Sequence, residues 1–258
     1  MAFYFTTPNL LPKTDKKYKK WLKSLKKRPP SWSKGYTKLD HPSVAKISET
    51  FKNKKIDNFK AWRLQMVKKG KFHSYPKKLK RTKELAELMG VILGDGNIYK
   101  FSRTEGLTIV SNAKNIGFVN RYAGIIYGVF SKKSAISKPA KGCIRIKIYQ
   151  KYLSARIGIP CGNRGNLKIE IPNWILKSKK NIISYLRGLY EAEGSFCVHK
   201  PTYTYKFLFS NKNESLLNNV YVCLKILGFH PHRSRYQIQI SKKTEVYKIK
   251  DLIKFRQY

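Results

Sequence analysis

The sequence predicts an α+β fold of two similar halves, preceded by a basic helical extension. Three observations carry this. The chain repeats itself from about residue 84 to its end. Helix-period and strand-period apolar patterns alternate inside each repeat. Residues 1–80 stand apart through their density of lysine.

In the extension, Lys16, Lys17, Lys19, Lys20, Lys23, Lys26, Lys27 and Arg28 follow one another closely. Trp21 and Leu22 point to a short helix, ended by Pro29-Pro30. Ser43 is placed to cap a second helix bearing Val44, Ile47 and Phe51. Asp57 is placed to cap a third bearing Phe59, Trp62, Leu64 and Met66, with Gly70 as its stop. Two basic helices joined by a turn fit a helix-turn-helix. The plainer and favoured reading is a basic helical hairpin packed on the main domain.

The first half spans residues 84–160 and the second 181–258, with a turn-rich linker at 161–180. Each half opens on a helix and passes through strand-like segments and a second helix. A further strand and a last helix follow. Ile109-Val-Ser-Asn112 is echoed by Leu208-Phe-Ser-Asn211, and Ile144-Arg-Ile-Lys-Ile148 by Tyr236-Gln-Ile-Gln-Ile240. Asn112 stands 17 residues after Asp95, and Asn211 stands 18 after Glu193.

Fifty-five Lys and Arg against 14 Asp and Glu give a formal net charge of +41. Self-repulsion on that scale argues against an ordinary metabolic enzyme and for a polyanionic partner. Nucleic acid is the first choice, because each neutralised phosphate releases counterions. The 41% hydrophobic content suits a packed core rather than a disordered basic tail. The four cysteines form no CxxC pair, so structural zinc is not expected and reduced, mostly core thiols are. No signal-peptide pattern or membrane-length apolar run is present. A soluble, non-secreted protein of the cytoplasm or an organellar matrix is therefore expected.

The chemistry concentrates at the end of each half's first helix, at Asp95-Gly96 and Glu193-Gly194. Gly90 and Gly94, like Gly188 and Ala192, lie four apart on one helix face, which lets two helix backbones approach. The helices would then pack together and bring Asp95 and Glu193 side by side. Gly96 and Gly194 are expected to stop the helices with φ > 0. A carboxylate at a helix C-terminus faces the negative end of the dipole, and two neighbouring carboxylates repel. A hard divalent cation is the natural local remedy. Such an ion beside a phosphodiester suits metal-assisted hydrolysis.

Leu88-Met-Gly-Val-Ile-Leu-Gly-Asp-Gly96 and Leu186-Arg-Gly-Leu-Tyr-Glu-Ala-Glu-Gly194 resemble the two motifs of monomeric LAGLIDADG homing endonucleases. The resemblance covers about residues 84–258 and leaves the N-terminal third outside. It implies two pseudo-symmetric αββαββα halves whose sheets form a DNA-binding saddle, with the motif helices as interface. It also implies a monomer that cleaves both strands of a long duplex DNA site, one strand per acid, leaving 3′ overhangs. By the same resemblance Asp95 and Glu193 bind two or three shared Mg²⁺ ions, with the Gly94 and Ala192 carbonyls as further ligands. Asn112 and Asn211 would order reactive water. A basic residue near the end of a later strand would be Lys242 or Lys243, with Gln150 or Lys151 in the first half. Glu at the second acid departs from the family's Asp but keeps a carboxylate.

Alternation selects the DNA-facing residues. Arg145 and Lys147 lie between isoleucines, and Gln237 and Gln239 between Tyr236, Ile238 and Ile240. Arg103, Thr108, His199, Lys206, Arg233 and Arg235 are further candidates, each also readable as an ordinary solvated residue. Two other functions fit the same fold: an intron maturase, which would add RNA as a partner, and a non-cleaving DNA-binding regulator. A basic protein of ribosomal type would explain the charge but not the repeat. A pair of helix stops with surface acids would explain one motif but not a matched pair. The termini lack intein splice-junction residues, so an intron-encoded or free-standing gene is expected.

Overall fold

The computed structural model describes residues 14–54, 57, 59–69, 78–138 and 142–258. The chain divides into two compact units, parted between residues 74 and 75.

In the first unit, α1 (Lys16–Lys26) starts at Asp15, whose carboxylate accepts the Lys17 N–H at 2.7 Å. Helix α2 (Pro42–Asn53) is capped by His41 rather than Ser43. The His41 Nδ1 accepts the Ser43 N–H, and Pro42 fills the first turn, where its missing N–H costs nothing. Helix α3 (Lys60–Lys68) has no side-chain cap. Asp57 accepts instead from the Phe59 N–H at 3.2 Å and ion-pairs with Arg63. Residues 55, 56 and 58 of the turn, and the expected stop at Gly70, lie outside the described residues. No residue of these three helices is buried, and Phe59, Trp62 and Leu64 are well exposed.

In the second unit the first half runs α4 (Lys83–Gly94), β1 (Gly96–Lys100), β2 (Glu105–Asn112), α5 (Ile116–Phe130), β3 (Ala135–Ser137), β4 (Cys143–Gln150) and α6 (Leu153–Ile157). A linker containing α7 (Asn173–Leu176) follows. The second half repeats the order as α8 (Lys179–Glu193), β5 (Gly194–His199), β6 (Thr204–Ser210), α9 (Glu214–Ile226), β7 (His232–Arg233), β8 (Gln237–Ile240) and α10 (Lys243–Leu252). Both halves are αββαββα. Their antiparallel sheets share one topology, β1-β2-β4-β3 and β5-β6-β8-β7.

Alternation places Ile98, Leu107, Ile109, Ile144, Ile146 and Ile148 on the buried face of the first sheet. Phe207, Phe209, Ile238 and Ile240 do the same in the second, where Tyr190 of α8 stacks on Phe207 with ring centroids 4.4 Å apart. The thiols follow burial less closely than the sequence suggests. All four are free, but only Cys223 is buried, and Cys197 is exposed.

Helices α4 and α8 form the seam between the halves. Thr82 caps α4, and the run Leu85–Leu93 is buried all round, as a central helix requires. The crossing is made by glycine. A Cβ on Gly188 would stand 2.0 Å from the Glu87 carbonyl oxygen, and one on Gly90 2.3 Å from that of Tyr185. A Cβ on Gly94 would stand 2.4 Å from the Ala192 Cβ. Away from the acids, the buried Glu87 carboxylate receives Arg121 of α5 at 2.6 and 2.7 Å and pairs with Arg187 of α8 at 3.4 Å.

The linker is stitched to both halves. The Gly162 N–H donates to the Ile98 carbonyl at 2.9 Å. The amide of Asn213, which also caps α9, donates to the carbonyls of Arg164 and Leu167 at 2.8 and 2.9 Å.

Because backbone faces backbone at the crossing, Gly188→Ala should cost about 3 kcal/mol or more, the upper range for overpacking. Urea unfolding followed by circular dichroism checks this. An unchanged midpoint would show that the helices are not in contact at Gly188.

Candidate functional site

The crossing carries the two motif acids to one place. Asp95 caps the C-terminus of α4, and Glu193 is the last residue of α8. A Cβ on Gly94 would lie 3.2 Å from the Glu193 Cγ, so the Glu193 side chain lies against the residue before Asp95. Asp95 is exposed on its solvent side yet backed by packed protein. Burial and then the charge of Glu193 push its pKa up to about 6. Burial also raises Glu193. No cation appears among the influences on either group. These two acids are held in a costly place and left without an ionic partner among the described residues.

The glycines after the acids work differently from the sequence expectation. Neither takes positive φ; Gly194 is extended at φ −87°, ψ 152°. What they avoid is collision with the preceding turn. A Cβ on Gly96 would meet the Ile92 Cα at 2.5 Å, and one on Gly194 the Tyr190 carbonyl at 2.3 Å. The chain can turn straight from helix into strand only without a side chain there.

Two arginines that sequence reasoning missed secure these turns. The Arg164 Nη2 donates to the Ile92 carbonyl at 2.9 Å and the Gly96 carbonyl at 2.5 Å, bracketing Asp95. Arg256 reaches the Gly194 carbonyl at 3.5 Å. Cations at helix C-termini offset the negative end of the dipole. Burial lowers the pKa of Arg164, and its Nε and Nη1 have no partner among the described residues. Arg164 lines a 500 Å³ cleft together with Gly94, Gly96, Asn97 and Asn211. Its place between two linker glycines, Gly162 and Gly165, was the only signal in the sequence.

Asn211 donates to the Glu193 Oε1 at 3.4 Å. Its own Oδ1 accepts from the Asn213 N–H, as the Asn112 Oδ1 accepts from the Lys114 N–H. Both asparagines therefore hold the turn into the next helix, and Asn211 also touches an acid.

Strand register corrects the basic residue offered for the site. Gly194 pairs with Phe209, and Phe209 with Ile238, so β8 begins near Glu193 and runs away from it. Lys242 lies four residues beyond Ile238, about 13 Å along an extended chain. There it occupies the N-cap position of α10. Lys243 follows it into α10, and its Nζ lies over the Tyr205 ring. Gln150 and Lys151 lie at the corresponding far end of the first sheet, and Gln150 is buried and bonded to Arg156.

The outer faces of the sheets gather most of the remaining candidates. In the first sheet Asn97, Thr108, Lys147 and Ala135 form one row, and Val110, Arg145 and Ser137 the next, level with Asp95. In the second, Ser195, Leu208, Gln239 and His232 form one row, and Ser210 and Gln237 the next, level with Glu193. Lys206 shares this face through its pairing with Cys197. Arg103 sits in the β1–β2 turn. His199 ends β5 within 2.7 Å of the Thr202 hydroxyl, and Arg235 lies over the Tyr236 ring in the β7–β8 turn. Arg233 is a correction. It pairs with the inward Ile238 and reaches Glu214 and Asn218 of α9, on the helix side of the sheet.

Two carboxylates with helix-end carbonyls beside them make a hard, all-oxygen donor set. It fits a hydrated Mg²⁺-type ion, which keeps several waters and takes only one or two carboxylates along with a phosphate. Among the described residues no group of three or more His, Cys, Asp or Glu forms a closed metal cage. The Gly94 and Ala192 carbonyls belong to the last turns of α4 and α8, beside the acids.

Residues 180–257 match the LAGLIDADG-like domain family, and this match covers the second half alone. The chain is similar to structures of mesophilic variants of the homing endonuclease I-DmoI. These are 22% identical and cover 66% of this chain and 94% of that one, with a TM-score of 0.48. It is also similar to the LAGLIDADG meganuclease I-AabMI bound to uncleaved DNA (15% identity, 66% and 83% coverage, TM-score 0.44). A third likeness is the N-terminal LAGLIDADG domain of DUF199/WhiA (16% identity, 66% and 82% coverage, TM-score 0.47). No curated protein matches the chain.

The raised Asp95 pKa sets the sign of a stability test. The folded state holds the proton more tightly than the unfolded chain does. The resulting stabilisation is complete below about pH 4 and is lost as pH rises through about 6. Asp95→Asn should therefore melt a few degrees higher than wild type at pH 7.5 and level with it at pH 4. Mg²⁺ at pH 7.5 should raise the melting temperature of wild type and not that of the Asp95→Asn, Glu193→Gln double variant. Equal melting of Asp95→Asn and wild type at both pH values would mean that the fold does not raise the Asp95 pKa.

Proposed function

We propose that the chain is a divalent-metal-dependent endonuclease that cuts both strands of duplex DNA, in the manner of the homing endonucleases. The observation that carries this reading is the pair of uncompensated carboxylates brought to one place by the α4–α8 crossing. A net charge of +41 and the LAGLIDADG-like match of residues 180–257 support it. In this reading residues 84–160 and 181–258 are the two DNA-binding halves, forming a saddle. Residues 161–180 link them, and residues 1–80 add a basic helical extension. The protein acts as a monomer, leaves 3′ overhangs and is intron-encoded or free-standing. No described helix is long and apolar enough to cross a membrane.

Asp95 and Glu193 would hold Mg²⁺, with the Gly94 and Ala192 carbonyls as further ligands. Bound there, the ion would lower the pKa of an attacking water and stabilise the leaving oxygen. The chain's own residues set the frame. Arg164 and Arg256 pin the carbonyls that flank the acids, and the Asn211 amide orients the Glu193 carboxylate. On the outer faces Arg145, Gln237 and Gln239 are suited to base edges, while Lys147 and Lys206 are suited to phosphate. Arg145 and Gln237 occupy equivalent places in the two sheets, so the two half-sites would be read by different chemistry and the target would not be a palindrome.

A maturase or a non-cleaving regulator would share this fold, but neither needs two carboxylates held at such cost. Incubating the protein with a randomised duplex library, with and without Mg²⁺, tests the reading. Asp95→Asn and Glu193→Gln should each abolish double-strand cleavage while leaving duplex binding in Ca²⁺ intact. Loss of binding in both would assign the acids a structural role. Protons compete with the ion for Asp95, so the apparent Mg²⁺ affinity, read from cleavage at subsaturating Mg²⁺, should weaken as pH drops through about 6, where the metal-free carboxylate takes up its proton. An affinity flat from pH 8 to 5 would remove Asp95 from the ion's ligands.

A further inference from the structure

The outer faces of the two sheets differ at the end far from the acids. In the first sheet, Tyr99 of β1 pairs with Gly106 of β2, which pairs with Tyr149 of β4. A single row thus presents two tyrosines across a glycine. Phe101, just past β1, leans over the same glycine. A Cβ on Gly106 would lie 3.0 Å from the Phe101 ring and 3.3 Å from the Tyr149 ring. Tyr99 and Phe101 have ring centroids 4.7 Å apart at 64°, and Phe101 and Tyr149 5.7 Å apart at 55°. Rings that meet edge to face or tilted, rather than stacked, leave part of their flat faces open. All three stay partly in solvent, at 58%, 38% and 42% exposure. At the equivalent place in the second sheet stand Cys197 and Lys206.

Cations surround the rings. The Lys147 Nζ lies 4.9 Å above the Tyr149 ring. Beyond Phe101 a 350 Å³ hollow is lined by Lys100, Arg103, Lys151 and Tyr152. Its one acid, Glu105, is already engaged by the Ser154 N–H and hydroxyl at 2.7 and 3.0 Å.

We infer that this end of the first sheet is a stacking platform for unpaired bases of a single-stranded nucleic acid, DNA or RNA, whose phosphates meet the surrounding Lys and Arg. An intact duplex hides its base faces, so exposed rings gain little from it. Flat aromatic faces set among cations are what binds unpaired bases without regard to sequence. Covering Gly106 needs an apolar side chain but not an exposed ring face. The inference does not require Asp95 and Glu193 to cut DNA.

The test is fluorescence anisotropy of the full chain with labelled dT20, rU20 and a mixed-sequence 20-base-pair duplex, in EDTA so that cleavage plays no part. Tyr99→Leu and Tyr149→Leu keep an apolar cover over Gly106 but remove the ring face. Each should weaken single-strand binding by roughly 10-fold. Tyr99→Phe should match wild type, and duplex binding should change less than twofold. A greater effect on dT20 identifies DNA as the ligand, and a greater effect on rU20 identifies RNA. Equal loss on single strands and duplex, or no loss in Leu variants that melt like wild type, would overturn the inference.

Discussion

The contact between the backbones of α4 and α8 governs the second unit. At Gly90 and Gly188 the helices approach until a single methyl on either would strike a carbonyl of the other. Such closeness is possible only because neither glycine places a side chain in the space between. Once the helices meet there, the last turn of each must end beside the other. The two sheets, which begin one residue beyond, must then leave in related directions. The shared topology of the sheets follows from a repeated sequence, but their common origin at the acids follows from the crossing.

The same seam treats buried charge in two opposite ways. Glu87 is inside the interface, and two arginines satisfy it, one of them with a bidentate pair. An ion pair of that kind fixes register and would be missed if half of it were removed. Asp95 and Glu193 stand at the other end with raised pKa values and no ionic partner among the described residues. The nearby arginines are turned to carbonyls instead. Arg164 neutralises the end of α4 without cancelling Asp95, which leaves the acid's charge available to a ligand. A chain of net charge +41 has no shortage of cations, so the isolation of these two carboxylates reflects placement rather than composition.

The halves are alike in skeleton and unlike in surface. Arg145 faces Gln237 across the pseudo-symmetry, and Asn211 touches an acid where Asn112 holds only a turn. Tyr99 and Gly106 stand where Cys197 and Lys206 do in the other half. Inward residues are bound by packing to stay apolar. Outward residues are free of that packing constraint, and it is there that the two halves diverge.

The order of elements, the small residues at the helix seam and the inward or outward face of each strand residue were legible in the sequence, because period and residue volume encode them directly. The Arg145, Lys147, Gln237 and Gln239 side chains lie on the face that alternation assigns. Alternation says nothing about which end of a strand lies near a given helix, and this is why Lys242 looked close to Glu193 and is not. Nor does it reveal that Arg233 pairs with the inward Ile238 and so turns to α9. Gly96 and Gly194 were recognisable as necessary, but the reason, collision with the preceding turn rather than positive φ, depends on atoms four residues away. Arg164 gains its role only when the linker folds across the end of α4. The motif acids were thus marked by the sequence itself, while their neighbours were chosen by tertiary packing, which joins residues that no local pattern relates.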